Sequence, residues 1–128
     1  MIPKTLYFLW FGGGVPVYAD YAVDAFRTVN PGFKIKFIRE PDPRKSKDGD
    51  IQECLALSRD KDSKYYKIFH RGHFGNLQSR SQVIFNTAFS DTFRCFLLDR
   101  YGGIYLDVDM WPVRPFDDWL LGLGYFHV

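Results

Sequence analysis

The spacing of apolar positions changes several times along the chain, and each change marks an element. Residues 5–11, TLYFLWF, are apolar after the first and run into Gly12, Gly13 and Gly14. Such a run reads as a buried strand released into a glycine loop. In PVYADYAVDAFRTVNPG, the side chains of Tyr18, Tyr21, Ala22, Ala25, Phe26 and Val29 recur at helical spacing, which predicts an amphipathic helix stopped by NPG. FKIKFI, residues 33–38, alternates apolar and basic side chains, the mark of a half-solvated strand. Strand, helix and strand in this order predict an α/β sheet.

REPDPRKSKDGD, residues 39–50, has prolines, charges and no apolar period, and reads as a surface loop. Short helices are expected around Cys54 and between Gln78 and Phe89, with a break at RGHFGN. From Ser90 the pattern sharpens. Ser90 is placed to cap a helix whose buried stripe is Phe93, Phe96, Leu97 and Tyr101, with Gly102 placed to stop it. Asp91 and Arg94 fall beside that stripe, where charges need partners. IYLDVD then reads as a strand with Tyr105, Asp107 and Asp109 on one face and Ile104, Leu106 and Val108 on the other.

Residues i and i+2 of a strand lie about 6.6 Å apart, so Asp107 and Asp109 can converge on one ion or on adjacent groups of one ligand. At the carboxyl end of an interior strand they would also sit where open α/β sheets bind ligands. Two like charges there repel unless a cation or an arginine compensates. Oxygen-only ligation suits Mg2+ or Mn2+, and those ions suit a phosphate-bearing substrate. By itself a DxD tripeptide is a weak signal, since it occurs often by chance and usually marks a solvated turn.

Composition narrows the classes. A chain of 128 residues and 15.0 kDa is one domain's worth, read here as a single unit over residues 1–128. Its 17 basic and 15 acidic side chains are interleaved, with no basic stripe to follow a phosphate backbone, so nucleic acid is excluded as a partner. Cys54 and Cys95 have no metal-ligand spacing and read as free thiols in a reducing, cytoplasmic setting, with one disulfide as the alternative. The first apolar stretch is too short to span a bilayer and lacks a cleavage site, so neither a signal peptide nor a transmembrane segment is expected. His70 and His73 in FHRGHFGN invite a metal reading, but glycine lies between them and no carboxylate is near, so a mobile or acceptor-side loop is the better reading.

The order of SDTFRCFLLDRYGGIYLDVDMWPVRPF resembles the signature of the DxD glycosyltransferases related to α-1,6-mannosyltransferases and to the glucosylating domains of clostridial toxins. The opening IPKTLYFLWFGG and the passage NPGFKIKFI are similar to two further blocks of that family, in the same order. The resemblance implies a GT-A fold, a Rossmann-like α/β nucleotide-sugar-binding architecture in a truncated or minimal version. It implies transfer of a hexose from a nucleotide-sugar donor, with UDP as the carrier and GDP as its competitor, to a carbohydrate or other hydroxyl acceptor, with retention. By the family's pattern Asp109 binds the Mn2+ (or Mg2+) that bridges the diphosphate, with Asp107 on ribose or sugar hydroxyls, directly or through water. The same pattern puts Asp91 on sugar hydroxyls, Arg94 near sugar and phosphate, and Trp10 against the nucleobase, with Tyr105 and Gly103 on the donor side.

Without the resemblance the same residues have plainer explanations. Trp10 can be core, Asp91 and Arg94 a helix ion pair, Gly102 and Gly103 a helix stop and a close-packed strand start, and Trp111, read with Pro112 as a cover over the site's edge, simply a buried Trp after a strand. Family members continue well past the DxD, whereas here nineteen residues follow Asp109. The expectation is therefore a fragment, a miniature form or a homo-oligomer that completes the site, with a non-catalytic nucleotide- or sugar-binding module as the alternative function. A haloacid-dehalogenase-type phosphatase is disfavoured, since Met110 and Trp111 follow the second aspartate.

Overall fold

A computed structural model describes residues 1–71 and 81–124. The elements follow in the order β1 (Thr5–Phe11), α1 (Val17–Val29), β2 (Lys34–Glu40), α2 (Gly49–Arg59), α3 (Lys64–Phe69), α4 (Gln82–Tyr101), β3 (Ile104–Tyr105) and α5 (Asp118–Leu121), with a 3-10 turn at Pro43–Lys45. The sheet order is β2-β1-β3, which makes β1 central. β1 and β3 pair in parallel, with Leu6 opposite Ile104 and Tyr7 opposite Tyr105. Lys34 N donates to Lys4 O and Gly12 N to Glu40 O, so the partners advance in one direction and β1 and β2 are parallel too. Parallel neighbours require a crossover, and α1 supplies it.

The chain falls into two compact units, one of Met1–Leu9, Val15–Ile38 and Leu98–Val128, the other of Trp10–Gly14 and Arg39–Leu97. In the first, Leu6, Tyr7, Phe8 and Leu9 of β1 are buried together with Ala19, Ala22, Val23 and Phe26 of α1. The rings of Phe8 and Phe26 meet at 5.5 Å. The buried stripe of α1 is thus i, i+3, i+4 and i+7 from Ala19, and this corrects the expected one: Tyr18 and Tyr21 are exposed. β2 keeps the predicted alternation, with Lys34 and Lys36 exposed and Ile35 and Phe37 half-buried. Asn30, buried after α1, donates through Nδ2 to Phe26 O and accepts the Phe116 N–H through Oδ1 at 2.9 Å.

The second unit is built on phenylalanine. Phe85, Phe89, Phe93 and Phe96 stack in turn along α4, with ring centroids 6.2, 5.6 and 5.9 Å apart. Phe11 meets Phe89 and Phe93 at 5.3 and 5.8 Å. Ile51, Cys54 and Leu55 of α2 are buried as well.

Three expectations are revised. Ser90 lies inside one 20-residue helix instead of capping a separate one. Ser81 serves the N-terminus, its Oγ accepting from Ile84 N at 3.4 Å, because no glycine or proline interrupts the chain from there to Tyr101. Tyr101 is exposed and the helix buries Phe85 and Phe89 in addition. The predicted loop over residues 39–50 contains the end of β2, the 3-10 turn and the start of α2, where the Asp48 side chain accepts from Ile51 N at 3.0 Å. Of the expected break at RGHFGN, only Arg71 lies among the described residues, and His73 lies outside them.

Candidate functional site

The segment that leaves β3 carries both aspartates. The ladder stops at Tyr105, although Leu106 N still reaches Tyr7 O at 3.0 Å. Met110 N then donates to Asp107 O at 3.2 Å and closes a turn around Val108 and Asp109. The expected strand through Asp109 is therefore corrected to a two-residue strand followed by a turn. The expected two faces survive the change, since Leu106 and Val108 are buried while Asp107 and Asp109 are exposed. Burial of Val108 anchors the turn between the two carboxylates. Tyr105 donates its hydroxyl to Asp107 Oδ1 at 3.0 Å, which fixes one of the two carboxylates from within the same segment.

This donor set bears on a divalent metal. Two carboxylates offer oxygen alone, and among the described residues no three His, Cys, Asp or Glu side chains form a group able to hold an ion. The protein would therefore fill only part of a coordination sphere and leave the rest to water and phosphate oxygens, as Mg2+ and Mn2+ commonly require. The residues present fit such an ion.

Glycine precedes the pair for steric reasons. Gly102 N donates to Leu98 O at 2.9 Å with φ of 70°, the left-handed stop expected of it. Gly103 has φ of 114°, and a Cβ there would lie 2.8 Å from Thr5 O and 2.9 Å from the Tyr7 ring. Only a residue without a side chain lets β3 begin this close to β1.

Beside Asp109 runs an open groove of about 590 Å3. Tyr18, Tyr21 and Ala22 of α1 line it, and Asp109, Met110 and Trp111 line it from the segment after β3, with buried Val108 beneath. Trp111 is 66% exposed, Tyr21 65% and Tyr18 52%, so three aromatic rings are presented to solvent beside a carboxylate. Of the two sequence readings of Trp111, its exposure disfavours that of a buried Trp after a strand. The exposure of the two tyrosines was not legible in the sequence, because their helical spacing imitates a core stripe.

Trp10, Asp91 and Arg94 belong to the other unit, while Gly103, Tyr105, Asp107 and Asp109 share the first. Trp10 is half-buried rather than core, and its indole N–H donates to Gly13 O at 3.2 Å within the glycine loop. Asp91 and Arg94 form an ion pair at 2.9 Å, with their side chains 51% and 31% exposed. Sequence reading passed over Asn86, which is buried, accepts from Gln82 Nε2 at 2.8 Å, and places Nδ2 3.0 Å from where a Cβ on Gly12 would sit. A polar residue one position after a buried phenylalanine in a helix was the available signal. His70 packs against the ring of Tyr66 at 4.1 Å. Both cysteines are free, and burial pushes the Cys54 thiol up to about 12.

The family described as the glycosyltransferase sugar-binding region containing DXD motif matches residues 16–122. That span includes Tyr18, Tyr21, Asp91, Arg94, Asp107, Asp109 and Trp111 and leaves Trp10 outside. No curated protein matches the chain. Among solved structures, the PaToxG glycosyltransferase is similar over 90% of this chain and 45% of its own, with a TM-score of 0.56 and 21% identity. The chain thus spans less than half the length of that protein. The likeness establishes the fold, a GT-A-like α/β arrangement around a small parallel sheet.

Proposed function

The chain belongs to the family of glycosyltransferase sugar-binding regions that contain a DXD motif, and from that premise we propose that it binds a UDP-linked hexose with a divalent metal and transfers the sugar, with retention, to a hydroxyl of a saccharide or other acceptor. The observation that carries this reading is the Asp107-Val108-Asp109 turn at the carboxyl end of β3, with Tyr105 bracing the first carboxylate. Asp109 and Asp107 would hold Mn2+ or Mg2+. When bound, such an ion supplies Lewis-acid stabilisation of the charge that develops on the departing diphosphate.

The chain's own side chains take the remaining roles. Asp107 accepts hydrogen bonds from ribose or sugar hydroxyls, and Asp91 does the same for the hexose. Arg94 places a permanent positive charge at the phosphate end. Trp10 offers its half-buried face to the nucleobase, and Gly103 contributes by seating β3. Transfer breaks the bond from the anomeric carbon to phosphate oxygen, whose electron pair leaves with the nucleoside diphosphate, forms one to the acceptor oxygen on the same face, and passes the acceptor's hydroxyl proton to the departing phosphate or to water. We take the 128 residues as one donor-binding domain. Two free thiols favour a reducing, cytoplasmic setting, and among the described residues no helix is long and apolar enough to cross a membrane.

Thermal melting with UDP and with GDP, each with and without Mn2+, tests the donor site. A ligand at about 100 times its Kd adds about 2.7 kcal/mol. The expected result is a rise in Tm that requires UDP and Mn2+ together and is absent from Asp109→Ala. Equal melting in all conditions would refute the donor site.

A further inference from the structure

The groove beside Asp109 presents aromatic side chains that the donor reading leaves unused. Its walls are the exposed rings of Tyr18, Tyr21 and Trp111 with the Met110 side chain, and its floor is Ala22 and Val108. Among the described residues that line it, the Asp109 carboxylate is the one charged group and none is basic. A carboxylate accepts hydrogen bonds and repels anions, so without metal this surface disfavours phosphates and acidic ligands. A ligand rich in hydroxyl donors with one apolar face is what it complements. A pyranose ring has that make-up, since its axial C–H bonds form an apolar face and its hydroxyls project from the rim. At about 590 Å3 the groove lies in the size range of small-molecule sites. Tyrosine and tryptophan also offer large contact area with few rotatable bonds to freeze.

We propose that this groove is the acceptor subsite, where a neutral saccharide lays one pyranose ring on the Tyr18, Tyr21 and Trp111 rings with its hydroxyls directed to the Asp109 side. The proposal rests on the glycosyltransferase reading above. It adds to it the substrate class of the acceptor and the residues that select it. All the groove residues lie within the span matched by the sugar-binding family, residues 16–122, and within one compact unit of the chain.

The test titrates the full chain, with no nucleotide or metal, with maltotriose, mannotriose, cellotriose and chitotriose, followed by saturation-transfer NMR. In parallel, UDP with Mn2+ is titrated by calorimetry. The expected result is that at least one trisaccharide binds, and that Trp111→Ala and Tyr21→Ala each weaken it about tenfold while the affinity for UDP with Mn2+ stays the same. The proposal is overturned if no trisaccharide binds, if the bound one is indifferent to both substitutions, or if the substitutions abolish nucleotide binding instead, which would make the groove a base-stacking surface. A chain that gel filtration shows to be a dimer, dissociated by Trp111→Ala, would assign the groove to a second copy and also overturn it. Because the saccharide titration contains no nucleotide, a failure of the donor site leaves this result standing or falling separately.

Discussion

Tyr105 holds Asp107 across a single intervening residue, its hydroxyl 3.0 Å from Oδ1, at the point where β3 gives way to the turn that carries Asp109. The contact couples the last strand residue to the first carboxylate, so the sheet orients a group that has already left it. Removing the hydroxyl in Tyr105→Phe keeps the ring and its packing. A hydrogen bond to a charged group contributes about 1.5–3 kcal/mol when protected and less when exposed, as here. The expected outcome is a three- to tenfold loss of affinity for UDP with Mn2+, roughly 0.7–1.4 kcal/mol, with little change in Tm. Calorimetry on the variant checks it, and unchanged affinity would show that Asp107 needs no brace.

Asp91 and Arg94 already satisfy one another, and this makes the pair a clean place to separate stability from function. An exposed i,i+3 ion pair is worth about 0–1 kcal/mol. Arg94→Gln keeps most of the side chain's length and its contact with the helix. Its Tm should stay within about 3 °C of the parent. If Arg94 meets the phosphate as proposed, donor affinity should nevertheless drop about tenfold or more, since a charge-assisted contact would be lost. If affinity for UDP with Mn2+ is retained, the pair is only a helix salt bridge.

Asn30 joins two distant stretches of the chain. Its Nδ2 and its backbone N–H both donate to Phe26 O, and its Oδ1 accepts from Phe116 N, so α1 is closed and residues after the aspartate turn are tied to it. The rings of Phe33 and Phe116 meet at 5.8 Å on the same junction. Asn30→Ala removes the acceptor of the part-buried Phe116 N–H and one of the two donors to Phe26 O, at a cost of about 1–3 kcal/mol. Tm should fall by about 5–15 °C, while Asn30→Asp, which keeps the acceptor, should lose less. Equal melting of Asn30→Ala and the parent would show that the latch carries no load.

Much of this was legible because burial imposes a period. The apolar run of β1, the alternation of β2, the positive-φ stop at Gly102 and the in-out pattern from Ile104 to Asp109 all follow from one face meeting a core. The failures also have physical causes. Tyr18 and Tyr21 share helical spacing with Ala22 and Phe26, and periodicity alone cannot separate the rim of a stripe from a ring left in solvent. Ser90 suits an N-cap in sequence, but with no breaker beside it the phenylalanine stack on α4 continues straight through. The end of β3 was hidden for another reason: strand length depends on how long the partner stays in register, and among the described residues β3 pairs with β1 at Leu6 and Tyr7 alone.

Burial of Cys54 predicts a pH dependence of stability with a definite sign. Its side chain is fully buried, and burial pushes the thiol up to about 12, with the nearby Cys95 and Glu53 acting in the same direction and Ser58 against them. An unfolded thiol ionises near pH 8.5. The folded state therefore holds its proton where the unfolded state releases it. The stabilising contribution is full below about pH 8.5 and is lost as pH rises through the interval up to about 12. Lysines and tyrosines titrate over the same range, so the informative quantity is the difference between the parent and Cys54→Ala in urea midpoint at pH 8, 9 and 10. The parent should lose stability more steeply with pH than the variant, and native Cys54 should resist iodoacetamide at pH 8 while reacting in urea. Parallel pH profiles for the two proteins, or rapid native labelling of Cys54, would show that the thiol is neither protected nor shifted.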